Sequence, residues 1–215
     1  MSIIDGLEPK LLWKHFDQIR QIPHPSGEEE ALGQYVINFA KEKGLEWKKS
    51  DTGNVLVTKP GSKGNENAPA VVLQSHLDMV AEKNSDKEFD FSKDAIQLKR
   101  DGDWLTADGT TLGADNGIGV ATMLAVLEDD SLAHPPIEAL FTIDEERGLV
   151  GAMSISPDWL KGRTMINLDS EDIGEFSIGC AGGADTHIDL PLNRQAAKND
   201  QTVELQLIGL RGGHS

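Results

Sequence analysis

Three strongly apolar runs each end on side chains able to hold a cation or move a proton. AVVLQ leads into Ser75-His76-Leu77-Asp78, IEALFTI into Asp144-Glu145-Glu146, and TMINL into Asp169-Ser170-Glu171-Asp172. A further acid, Asp115, stands in the glycine-rich stretch TTLGADNGIG, just ahead of a helical pattern. Imidazole and carboxylate are ligands for zinc and neighbouring divalent metals. Several carboxylates crowded at one rim of a partly desolvated cleft oppose one another's ionisation, and cations relieve that conflict. Each feature alone has an ordinary reading: His-x-Asp as a core or surface pairing, adjacent glutamates as a solvated turn, Asp among glycines as turn chemistry. Their coincidence at three strand ends, with Asp115 between them, points to a metal site.

The elements that must position these groups follow from periodicity. Leu11, Leu12, Phe16 and Ile19 recur at helical spacing up to Pro23. Ser26 with Glu29 has the form of a capping box, and Gly44 stands where a left-handed cap belongs, so a second helix is expected over 27–43. Strands are expected at 45–48, 54–58 and 70–74, an exposed loop at 81–95, and a hairpin of 96–99 with 104–106 turning at Asp101-Gly102. A buried helix over 117–128 and strands at 137–143 and 164–168 complete the pattern. The class is α/β, with a mostly parallel central sheet flanked by helices. In such sheets ligands bind beyond the carboxyl ends of the strands, where the chemistry-bearing residues fall. From about Ala184 the alternation changes. Residues 187–190 and 202–208 resemble half-exposed strands, giving a catalytic domain over 1–183 and the beginning of a β-rich lid or dimerisation domain over 184–215.

The chain has 36 acidic against 20 basic residues, a formal charge of −16, which disfavours nucleic acid as a partner. Apolar runs such as 121–127 and 139–143 fall far short of the roughly 20 residues of a membrane span. The start, MSIIDGLEPK, lacks the features of a secretory signal, and a lone Cys180 forms no internal disulfide, so the cytoplasm is the expected compartment. His15, His134 and His187 read as structural or solvated, and His24, in the IPHPS loop, receives no role.

HLDMV, TLGADNGIG, TIDEERGLVGA and NLDSED, in that order, resemble the motif set of the zinc peptidases that include dipeptidases, tripeptidases and aminoacylases. Within that group IPHPSGEEE, QSHLDMV, GTTLGADNGIG, NLDSEDIGEFSIGCAGG and GLRGGHS look most like the aminoacyl-histidine dipeptidases, also called cytosol non-specific dipeptidases or peptidase D. The resemblance spans essentially the whole chain. It implies two zincs per active site, with cobalt or manganese as substitutes, and a small peptide as substrate. It implies that His76 and Asp169 bind one metal, Asp115 bridges both, and Glu146 binds the second. Asp78 would orient His76, Glu145 would act as general base, and His214 would stabilise the oxyanion. Glu145 and Glu146 are expected to face opposite ways along an extended segment.

Members of this group are about twice as long. The returning part of their chain, after a lid that joins a homodimer, carries a last histidine for the second metal. The expectation is therefore an N-terminal portion that binds at most one metal tightly and hydrolyses dipeptides weakly or not at all. The alternatives are a tripeptidase or N-acyl amino acid deacylase on the same scaffold, or an inactive metal-binding fragment.

Overall fold

The computed structural model of the chain describes residues 3–170, 174–179 and scattered positions between 187 and 208. It divides into two compact units, Met1–Ile173 and Gly174–Ser215, and every helix and strand among the described residues belongs to the first. Of the strands expected at 187–190 and 202–208, only residues 187, 189, 203, 204, 206 and 208 are described, and Cys180 and His214 lie outside the described residues.

Two helices, α1 (Lys10–Ile19) and α2 (Glu30–Glu42), precede the strands β1 (Glu46–Lys49), β2 (Val55–Lys59) and β3 (Val71–His76). A separate hairpin, β4 (Leu98–Asp101) with β5 (Trp104–Ala107), leads to helix α3 (Ala114–Glu128). Then come β6 (Ile137–Thr142), the short α4 (Val150–Met153) and β7 (Thr164–Asn167). The main sheet has the order β1-β2-β6-β3-β7. β3 pairs in parallel with both β6 and β7, whereas β2 is antiparallel to both β1 and β6. Four of the five strands therefore run in one direction, with β2 reversed.

Alternation along the strands sorts side chains between two layers. Val55, Val57, Ile137, Ala139 and Phe141 face the large core formed with α1, α2 and α3. Leu56, Val72 and Leu140 face a smaller cluster roofed by Ile155, Trp159 and Leu160. Helix α3 is hydrophobic on most sides and is buried accordingly. Gly117 brings it against Phe16 and Ile19 of α1, because a Cβ there would already touch the Phe16 ring at 3.4 Å.

Two local expectations are corrected. The Ser26–Glu29 capping box does not form: α2 begins at Glu30 without a side-chain cap. Both residues turn toward the strand ends instead, Ser26 to Asp78 and Glu29 to the amides of Gly27 and Asp144. The hairpin turn is centred one residue later than expected, on Gly102-Asp103, since Asp101 pairs with Trp104. The expected cap at Gly44 is present, with φ +67 and the Leu45 amide returning to the Ala40 carbonyl, a Schellman ending.

Far from the strand ends, Glu128 closes α3 by accepting from Lys14, Lys43 and the buried His15. Burial opposes its charge, but the two ammonium groups and His15 carry its pKa down to about 2 from 4.5. Burial also depresses His15. Both shifts have the same sign for stability, because the unfolded chain binds protons more readily at each group. Stability therefore declines as pH falls below about 6.5, where unfolded His15 gains a proton, and the Glu128 contribution fades between about 4.5 and about 2. Glu128→Gln is expected to cost about 1–3 kcal/mol at pH 7, a melting shift of several degrees in a chain of this size. Thermal melts across pH check this, the gap between variant and wild type closing in acid.

Candidate metal centre

The site is assembled where β3, β6 and β7 end on the same edge. His76 is the last residue of β3, 1% exposed, and its side chain is held at both nitrogens. Nδ1 lies 2.9 Å from the Asp78 backbone carbonyl and 3.2 Å from Asp78 Oδ1. With the Nδ1 proton committed there, Nε2 is left to serve as a ligand. Nε2 points at Asp115 Oδ1, 3.0 Å away, and at Asp169 Oδ2, 3.7 Å away.

Asp115 reaches the edge from the mouth of α3. Gly113 enters at φ +72 against Met79 and His24, a Cβ there falling 2.9 Å from Met79 Sδ. Asp115 and Asn116 keep non-helical dihedrals, with a cis peptide between them, so regular helix begins at Gly117 as the sequence indicates. Asn116 donates from Nδ2 to the Leu168 carbonyl at 2.9 Å and to Asp169 Oδ1 at 3.0 Å, tying α3 to the end of β7.

Beyond β6 the chain turns sharply, with Asp144 at φ +52. The extended run is thus interrupted just ahead of Glu145-Glu146, and the two carboxylates enter different ligand groups. One group of ligand atoms within 4.8 Å of one another comprises His76, Glu145 and Asp169, and a second comprises His76, Asp115 and Glu146. All six described candidates, His76, Asp78, Asp115, Glu145, Glu146 and Asp169, come to this edge.

The electrostatics fit a cation. Burial opposes charge on His76, yet hydrogen bonds to Asp115 and Asp78 and the nearby Asp169 lift its pKa to about 10. Asp169 is pushed up by burial and by Asp115 and Glu145, with His76 pulling the other way. Asp78 is buried, which alone would raise it, but His76, the Glu145 amide and Ser26 bring it down to about 2. One imidazole ringed by carboxylates, with Asp169 pushed up by its neighbours, is a donor set for a borderline divalent metal.

A third group, Glu29, Asp78 and Asp144, is fully buried, and its members accept from protein donors. Asp144 is bound by Arg147 at 2.6 and 2.8 Å. Sequence reasoning did not assign Ser26, Glu29, Asn116, Asp144 or Arg147. Ser26 and Glu29 lie in the IPHPSGEEE motif, a signal that was present but read as helix capping. His24, without an assigned role, is buried beside the site with Nδ1 2.5 Å from the Ile22 carbonyl.

A carboxylate cluster around one imidazole, at the carboxyl edge of a mostly parallel sheet, places the chain among α/β proteins that hold metal at that edge. The chain belongs to peptidase family M28, whose model matches residues 54–207. It is 50% identical over 216 residues to the cytosol non-specific dipeptidase of Escherichia coli K12, an alignment covering 100% of this chain and 44% of that protein. It is similar to the crystal structure of aminoacylhistidine dipeptidase from Vibrio alginolyticus, with a TM-score of 0.79 and 53% identity over 80% of this chain and 35% of that one. A tripeptidase from Staphylococcus aureus shares the fold, with a TM-score of 0.62 at 24% identity, covering 74% of this chain and 43% of that one. The chain spans less than half the length of these relatives. Among the described residues no helix is long and apolar enough to cross a membrane.

Proposed function

We propose that this chain carries the catalytic metal centre of a dipeptidase that hydrolyses small peptides, Xaa-His dipeptides included. One observation carries the reading: a single imidazole, His76, belongs to two overlapping groups of metal-type ligands. His76, Asp115, Asp169 and Glu146 would hold zinc, with cobalt or manganese chemically admissible. Bound cations supply positive charge that polarises a carbonyl and eases deprotonation of water. The chain's own groups do the rest. Asp78 fixes the His76 ring through Nδ1. Glu145 takes the proton of the attacking water and passes it to the leaving amine, a task for a carboxylate held beside the reacting atoms. His214, in GLRGGHS, donates to the developing oxyanion.

Residues 1–183 are assigned to the catalytic domain and 184–215 to the start of a lid through which a homodimer forms. The cytoplasm is the assigned compartment. The names of the Escherichia coli and Vibrio relatives support substrate and compartment.

A panel of Xaa-His dipeptides, tripeptides and N-acyl amino acids, assayed with and without chelator, tests the reading. Dipeptide turnover lost to chelation and restored by zinc is expected. A chelator-resistant rate would overturn it, as would turnover confined to tripeptides or N-acyl amino acids. Metal uptake with no turnover of any substrate would leave a non-catalytic metal-binding module.

A further inference from the structure

The turn that delivers Glu145 and Glu146 is held in an unusual way. Four consecutive backbone amides donate to side chains from three other parts of the chain. Ile143 N meets Asn54 Oδ1 at 3.1 Å, and Asp144 N meets Glu29 Oε1 at 3.1 Å. Glu145 N meets Asp78 Oδ1 at 2.9 Å, and Glu146 N meets Asp78 Oδ2 at 3.2 Å. Asn54 precedes β2 and Asp78 follows β3, so both are anchored by the sheet. Glu29 comes from the start of α2 and is 5% exposed. Its Oε1 also accepts the Gly27 amide at 2.8 Å.

The two segments are keyed together a second time. Arg147, which clamps Asp144, lies over Gly27, where a Cβ would fall 2.5 Å from Nη2. Gly27 also holds φ +86, which disfavours any side chain. Placing Glu29 within 4.8 Å of both Asp78 and Asp144 gathers three buried acids, an arrangement that opposes folding unless each is well supplied with donors. A mere packing contact would not require a hydrogen-bond acceptor here, whereas the Asp144 and Gly27 amides do.

We infer that Glu29 is a positioning residue for the metal centre: by accepting the Asp144 amide it sets the direction in which the chain leaves β6, and so where the Glu145 and Glu146 carboxylates stand relative to His76. The inference rests on the metal-centre reading above. In this role Glu29 acts through the backbone of the turn.

The test uses the full chain and variants Glu29→Ala, Glu29→Asp and Glu29→Gln. Zinc affinity is measured by competition with a chromophoric chelator, and the visible spectrum of the cobalt-loaded protein reports ligand geometry. Glu29→Ala and Glu29→Asp, the latter too short to reach, are expected to weaken zinc about 10- to 100-fold, as groups that orient ligands commonly do, and to alter the cobalt spectrum. Glu29→Gln keeps an oxygen for both amides and is expected to restore wild-type affinity and spectrum. Should Glu29→Ala fail to fold, Glu29→Asp carries the comparison. Wild-type affinity and spectrum in Glu29→Asp overturn the inference, as does a Glu29→Gln variant as impaired as Glu29→Asp. A wild-type chain that takes up no zinc removes the metal-centre reading itself, a result distinct from wild-type binding that ignores Glu29.

Discussion

Glu145→Gln is expected to lower the rate of dipeptide hydrolysis by about 100- to 10,000-fold, the range a positioned general base supplies, while zinc uptake stays close to that of the wild type. The amide keeps the size of the carboxylate and cannot accept a proton from water. The backbone bond from the Glu145 amide to Asp78 is untouched by the change, so the turn stays in place. The geometry also defines the competing outcome, because Glu145 shares one ligand group with His76 and Asp169. If Glu145 bound metal directly, the same substitution would reduce metal content together with rate. Steady-state kinetics alongside elemental analysis separates the two, and loss of metal would move Glu145 from base to ligand.

His76→Ala is expected to weaken zinc binding by more than the roughly 10- to 100-fold that follows loss of a ligand-orienting group. His76 supplies the one nitrogen donor in both ligand groups. Its removal leaves Asp115, Asp169, Glu145 and Glu146 facing one another without the imidazole that now lies 3.0 and 3.7 Å from two of them. Elemental analysis after dialysis against limiting zinc should find the variant depleted under conditions where the wild type is loaded. Retention of wild-type zinc by a folded His76→Ala protein would place the metal elsewhere.

The fold was largely legible because burial leaves a periodic trace. Val55-Leu56-Val57 and Ala139-Leu140-Phe141 alternate between two cores, and α3, apolar nearly all round, lies between the sheet and α1. The metal-type ligands were legible because each stands at the end of an apolar run or beside a glycine that opens a helix. What the sequence hid were interactions that override local propensity. Ser26 and Glu29 have the spacing of a capping box, but Asp78 and the Asp144 amide outcompete the helix end for them. Glu145 and Glu146 follow a strand, but Asp144 at φ +52 interrupts the extended run ahead of them, and each joins a separate ligand group that includes His76. Neither event is encoded by residues near in sequence alone. Each depends on partners that the sheet order β2-β6-β3 brings together.

His76 Nε2, together with Asp115, Asp169 and Glu146, is expected to grip a cation. Anomalous diffraction from crystals of the chain equilibrated with zinc answers that directly. A peak bonded to His76 Nε2 and to a carboxylate oxygen of Asp115 is the predicted result. A folded molecule with full anomalous data and no peak at His76, at zinc concentrations that saturate other sites, would contradict it.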